Sequence, residues 1–305
     1  MIYHAKADKI DTELSVEREV LRIGKRFLDF ADVRAITPLN HRVLIDTLTD
    51  ERLEISMLGF SYDGFFEELW GCFCERSLEA MFVEEEAIMT CEGEFETPFE
   101  KGRAKIRLYP DAVCILPCSC HSVRIPLCFT DEIRSNGYMM ELKTRTGARY
   151  TVGRMGYDTH PFFERTQHAA DRIKKERAKY TAALKISAPF TQAGLFRTMT
   201  PELSFQAAYG ESRCAVELFT GDDAATYLYR FTEDQAVFSM KLEEAMEAIS
   251  THRELIYLSE EQIQQKPLYR MSVQRCEAVQ YLRAHADGRL IHSQNHAQKL
   301  KEYLG

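Results

Sequence analysis

Slid along itself by 97 positions, the chain aligns residues 27–69 with 124–166 without a gap. Self-similarity at a fixed offset is a strong constraint, because both copies must satisfy one fold. Identities include Ile36/Ile133, Thr47/Thr144, Gly59/Gly156, Phe65/Phe162, Phe66/Phe163 and Glu67/Glu164. The physical punctuation coincides as well. In the first copy Val43 and Ile45 alternate, Thr49-Asp50-Glu51 turns the chain, and Leu53, Ile55 and Met57 alternate again. In the second, Met140 and Leu142 precede the turn Thr146-Gly147-Ala148, and Tyr150 and Val152 follow it. Period-two alternation around a polar turn predicts a hairpin in each copy. Gly59 and Gly156 end the second strand, and Ser61, Asp63, Asp158, Thr159 and Pro161 open a helix. Apolar residues then recur at helical spacing: Phe65, Phe66, Leu69, Trp70, Phe73, Leu78 and Met81, and less cleanly Phe162, Phe163, Ala169, Ala170 and Ile173. The second helix is expected to run about 25 residues, ~38 Å.

Further strand-like runs lie upstream: Glu19–Ile23 and Arg26–Phe30, then Lys105–Leu108, Val113–Leu116 and Val123–Phe129. The expected class is α+β, with two tandem units of antiparallel strands, each closed by one C-terminal helix. Unit one is assigned to 1–86 and unit two to 101–187. The acidic stretch 87–100 reads as a linker, and 188–305 as a third α+β region, with a third degenerate unit as one reading of it. There Thr226–Phe231 and Ala236–Met240 read as strands ahead of a helix Leu242–Ile249. A strand Glu254–Leu258, a helix Val273–His285, a strand Arg289–His292 and a helix Gln294–Leu304 are expected to follow.

Strands ending in a hairpin and one capping helix, twice over, resemble the pleckstrin-homology superfold with its GRAM-like variants. The resemblance rests on Arg42–Phe82 and Lys101–Leu184, with Trp70 standing for the helix aromatic of many such domains. It implies binding of lipids, peptides or sister domains rather than catalysis, by analogy of fold.

Charge is partitioned unevenly between the copies. Residues 1–100 carry a net −13, residues 101–185 a net +9, and the remainder −4. Within the basic middle, Lys101, Arg103, Lys105 and Arg107 share one face of a strand, opposite Ala104, Ile106 and Leu108. Such a row can hold an acidic protein partner, dock on the chain's own acidic first unit, or bind an anionic lipid surface or nucleic acid. A solvated strand face is the plain alternative. Arg165, Arg172, Lys174, Lys175, Arg177 and Lys179 crowd the second helix, but they wrap around it rather than forming one stripe.

Cys118, Cys120 and His121 offer zinc-ligating atoms, yet Cys-x-Cys is not the usual Cys-x2–4-Cys spacing, and buried small residues explain them equally well. His285, His292 and His296 lack the glutamate of a metalloprotease helix. Asp222-Asp223 reads as a polar turn. There is no phosphate loop, dinucleotide fingerprint or nucleophile elbow. No cofactor and no catalytic residue is expected. The odd count of nine cysteines and the absence of a secretory leader pattern suggest a reducing, cytoplasmic setting. The primary expectation is a non-enzymatic interaction or scaffold protein; an anion-binding module is the alternative, and a metal-dependent enzyme a distant third.

Overall fold

The structure is a computed structural model that describes residues 1–183, 194–198, 204–218, 225–249, 252–291 and 295–305. The first unit holds β1 (Ile2–Ala7), β2 (Ile10–Val16), β3 (Val20–Ile23), β4 (Arg26–Asp29), β5 (Val33–Leu39), β6 (Arg42–Thr47) and β7 (Arg52–Ser56), followed by α1 (Tyr62–Ala80). The second repeats it with β8 (Met89–Glu96), β9 (Lys101–Leu108), β10 (Ala112–Pro117), β11 (Val123–Pro126), β12 (Thr130–Asn136), β13 (Met139–Thr144) and β14 (Arg149–Gly153), followed by α2 (Thr159–Ala183). Both sheets are antiparallel and have seven strands, with corresponding orders β4-β3-β2-β1-β7-β6-β5 and β11-β10-β9-β8-β14-β13-β12. The first strand of each meander therefore pairs with the last.

The repeat extends to details of the backbone. Pairing slips by one residue between Val33 and Ala35, and again at the corresponding Thr130 and Glu132. Thr47 and Thr144 each share a hydroxyl contact of 3.0 Å with the threonine two residues on. The Leu48 amide donates to the Asp32 carbonyl, as the Arg145 amide does to that of Phe129. Left-handed residues recur in register: Asp50 with Gly147, Met57 with Arg154, and Gly59 with Gly156. At Gly93, where β8 crosses to β14, an added Cβ would lie 2.4 Å from the Gly153 carbonyl oxygen, so only glycine lets the strands meet.

The acidic stretch is not a linker. Its centre is β8, the first strand of the second sheet, with Cys91, Gly93 and Phe95 inward and glutamates between them. Charge concentration hides that alternation, because the glutamates occupy the outer face of a period-two strand.

Each sheet and its helix enclose a core. In the first unit it is built from Leu14, Leu21, Val43, Ile45, Ile55, Phe65, Leu69 and Phe73. In the second it includes Ile106, Ile115, Leu142, Val152 and Phe162.

The third region has a five-stranded antiparallel sheet, β15 (Gly194–Thr198), β16 (Ser204–Tyr209), β17 (Arg213–Leu218), β18 (Ala225–Arg230) and β19 (Ala286–Ile291), in sequential order. Its helices are α3 (Gln235–Ile249), α4 (Glu254–Tyr257), α5 (Glu260–Gln264), α6 (Pro267–Arg275), α7 (Glu277–His285) and α8 (His296–Leu304). This is not a third copy. Ala236–Met240, expected as a strand, lies in α3, because the Asp234 carboxylate accepts from the Ala236 amide at 2.7 Å and caps the helix. Glu254–Leu258, also expected as a strand, begins as the helical turn α4. The helix expected over Val273–His285 is broken at Cys276, whose backbone is extended. The 187/188 boundary, Asp222-Asp223 and His292 lie outside the described residues. Among the described residues no helix is long and apolar enough to cross a membrane.

Candidate functional site

The basic row lies on β9, where Ala104, Ile106 and Leu108 are buried in the sheet's core, as the alternation requires. The four cations meet different surroundings. Lys101 and Arg103 are exposed at the outer end, Arg103 standing 3.7 Å from Glu92 on β8. Lys105 and Arg107 turn toward α1 of the first unit. The Lys105 ammonium is 3.1 Å from Glu67 and lies 4.6 Å above the Trp70 ring centre. Arg107 pairs with Glu75 at 2.5 Å. Burial lowers the Arg107 pKa, but hydrogen bonds to Glu75 and Tyr109 outweigh that and hold it above the ordinary guanidinium value.

These pairs border a second apolar contact. Trp70, Cys74 and Leu78 of α1, with Met81 just after it, pack against Tyr109, Cys114 and Leu116 of the second unit. They recur at helical spacing on a stripe distinct from the Phe65–Leu69–Phe73 face that closes the first core. β10 is buried at every position from Ala112 to Pro117, because its inner face serves its own core and its outer face serves α1.

Backbone joins the units as well. β5 is an edge of the first sheet, and the segment after β10 lies along it. The Ile36 amide donates to the Cys118 carbonyl, and the Cys120 amide to the Arg34 carbonyl, both at 2.7 Å. Ala35 and Ser119 form an antiparallel bridge. An open strand edge is thereby given partners.

The same segment accounts for the candidate metal ligands. Cys118 packs partly buried between the two units. Burial raises its thiol pKa to about 12 and also raises that of Cys120. His121 stacks on Phe99 with ring centres 5.8 Å apart. Among the described residues no three His, Cys, Asp or Glu side chains are grouped to hold a metal. The described histidines among the third region's candidates have separate partners: His285 contacts the Tyr281 carbonyl at 2.7 Å, and His296 contacts the Thr226 hydroxyl at 2.8 Å.

The third region closes the junction through a residue absent from the sequence-based candidates. Arg275, at the end of α6, donates to the Cys120 carbonyl and to the Ser77 hydroxyl, each at 3.2 Å, and lies 5.9 Å from the Phe73 ring centre. One guanidinium thus touches all three parts of the chain. Burial lowers its pKa to about 10. Arg270, one turn earlier, pairs with Asp32 at 2.6 Å. On the second unit's other side, Glu243 of α3 pairs with Arg145, and Arg124 donates to the Glu247 carbonyl at 3.0 Å. A lone arginine ending a short helix carries no sequence signal for such a role. The second apolar stripe of α1 does carry one.

No family model matches the chain, and no curated protein matches it.

Proposed function

We propose that the protein is a non-enzymatic interaction scaffold whose first two units are divergent pleckstrin-homology-like domains held together by the basic strand β9. The seven-stranded meander followed by one helix, present twice, supports the assignment of the units. The observation that carries the functional reading is the engagement of Lys105 and Arg107 by Glu67, Trp70 and Glu75. Of the surfaces an acidic partner of this strand could offer, the chain's own first unit is the one in contact. Opposite charge, apolar packing and backbone pairing coincide there, so the partition of charge serves internal docking.

A charge exchange tests this reading. Glu67→Lys and Lys105→Glu should each destabilise the intact chain by about 1 kcal/mol, because the pair is only partly shielded from water. The double exchange should recover most of the loss in denaturant unfolding. Wild-type protein should not bind anionic vesicles or oligonucleotides through Lys105. Vesicle binding at low salt that Lys105→Glu abolishes, without recovery in the double variant, would replace this reading with the anion-binding one.

A further inference from the structure

Tyr62 opens α1 and plugs a space beside the β5–β6 turn. Its ring meets His41 edge-on at 5.4 Å and lies parallel to Phe66 at 6.5 Å. Its hydroxyl donates to the Arg42 carbonyl at 3.4 Å. Carried across the 97-residue offset, those three contacts become Tyr138, Phe163 and Met139, whereas Tyr62 itself becomes Thr159. The Thr159 hydroxyl is turned to the backbone, accepting from the Met155 amide at 3.0 Å and donating to the Gly156 carbonyl at 3.1 Å. It leaves the corresponding space unfilled. A cavity of about 220 Å³ remains, lined chiefly by Tyr138, Met139, Met155, Thr159, Phe162 and Phe163.

We propose that this cavity of the second unit receives a tyrosine or phenylalanine side chain of a partner protein. An apolar cavity of about 150 Å³ suffices to bind benzene, so one of about 220 Å³ has room for a phenyl or phenol ring. The first copy shows which chemistry fits, since a tyrosine ring occupies the equivalent place against the equivalent residues. Methionines at 139 and 155 supply adaptable walls. The rim favours a polypeptide over a free aromatic molecule. Tyr138, on the cavity's rim where the first copy has His41, is large and 76% exposed, an apolar surface that a polypeptide around the inserted ring can cover. The proposal rests on the interaction reading above and names one of its partners by chemistry.

The test titrates the full chain with p-cresol, the tyrosine side-chain analogue, and with N-acetyl-tyrosinamide, following methionine methyl resonances. Saturable one-site shifts of Met139 and Met155 with both probes are expected. Thr159→Tyr should weaken both at least tenfold while raising Tm, and Tyr62→Thr should create a second p-cresol site in the first unit. Absence of saturable shifts, or shifts that persist in Thr159→Tyr, would overturn the proposal. Binding of p-cresol with exclusion of N-acetyl-tyrosinamide would overturn its polypeptide half, leaving a free aromatic ligand. Neither result depends on the Lys105–Glu67 exchange, so the two readings can fail separately.

Discussion

The helices that close the two copies begin alike and diverge along their outer faces. Phe65 and Phe66 match Phe162 and Phe163, and Phe65 and Phe162 are fully buried in their own cores. Farther along, Trp70, Cys74 and Leu78 of α1 correspond to Gln167, Asp171 and Lys175 of α2. The first set packs on the second unit, whereas Asp171 and Lys175 are exposed. The strands repeat the lesson: β10 is buried on both faces, but its counterpart β3 leaves Arg22 exposed. Each copy keeps the face that fills its own core and changes the face that meets the other copy. A duplicated fold thus becomes asymmetric at its contact, while its interior stays recognisable.

The largest effects should fall where the copies agree. Phe65→Ala and Phe162→Ala should each cost about 3–5 kcal/mol in denaturant unfolding of the intact chain. A marked loss in one copy alone would break the equivalence of the two cores. The seam should come next. Trp70→Ala should cost about 3 kcal/mol, as truncation of a buried aromatic does, whereas Gln167→Ala should stay within about 0.5 kcal/mol. Equal small effects would mean that the inter-unit contact contributes little. Arg275→Met should leave stability within about 1 kcal/mol or raise it, since an apolar side chain avoids the burial of an unneutralised charge. A larger loss would assign the guanidinium's hydrogen bonds a dominant part in the junction.

The smallest effect concerns one cross-strand pair. Asp46 faces Arg52 at 2.6 Å, but the corresponding pair in the second copy is Lys143 opposite Arg149. Lys143 also faces Glu132 on β12, so Lys143→Asp trades one cross-strand pair for another and should change stability by less than about 0.5 kcal/mol. The Arg52 hydrogen bond holds Asp46 below the ordinary carboxylate range. Its contribution is present above the unfolded value, about pH 4, and is lost as pH falls through the folded one. Asp46→Asn should flatten the acid side of the stability curve. An unchanged acid limb in that variant would remove this pair from the pH dependence.

Legibility in the sequence followed the range of the interactions. The hairpins, the glycines after them and both helices were readable because alternation, turn residues and helical spacing act within a few positions. The strand pattern of β8 was concealed because its outer glutamates resemble a solvated linker. Ala236–Met240 was misread because five residues of a helix can mimic an alternating strand, and the deciding contact is the Asp234 cap. The basic row on β9 was visible, but its counterparts Glu67 and Glu75 lie 38 and 32 residues away, so the pairing depends on how the units meet. The outer stripe of α1 and the continuous apolar run of β10 were local signals that together announce a second buried face. Arg275 had no local signal, since its role arises from three distant segments.

The strand edge capped by Cys118–Cys120 also gives the chain a timetable. When synthesis has completed α1, the first unit has all its strands and its helix, but the residues that cover β5 are encoded some 40 codons farther downstream. At about 5–20 residues per second, that edge stays bare for roughly 2–8 s after α1 is made. During those seconds the first unit presents a strand edge to any neighbouring nascent chain, and emergence of Ser119 is what withdraws the offer.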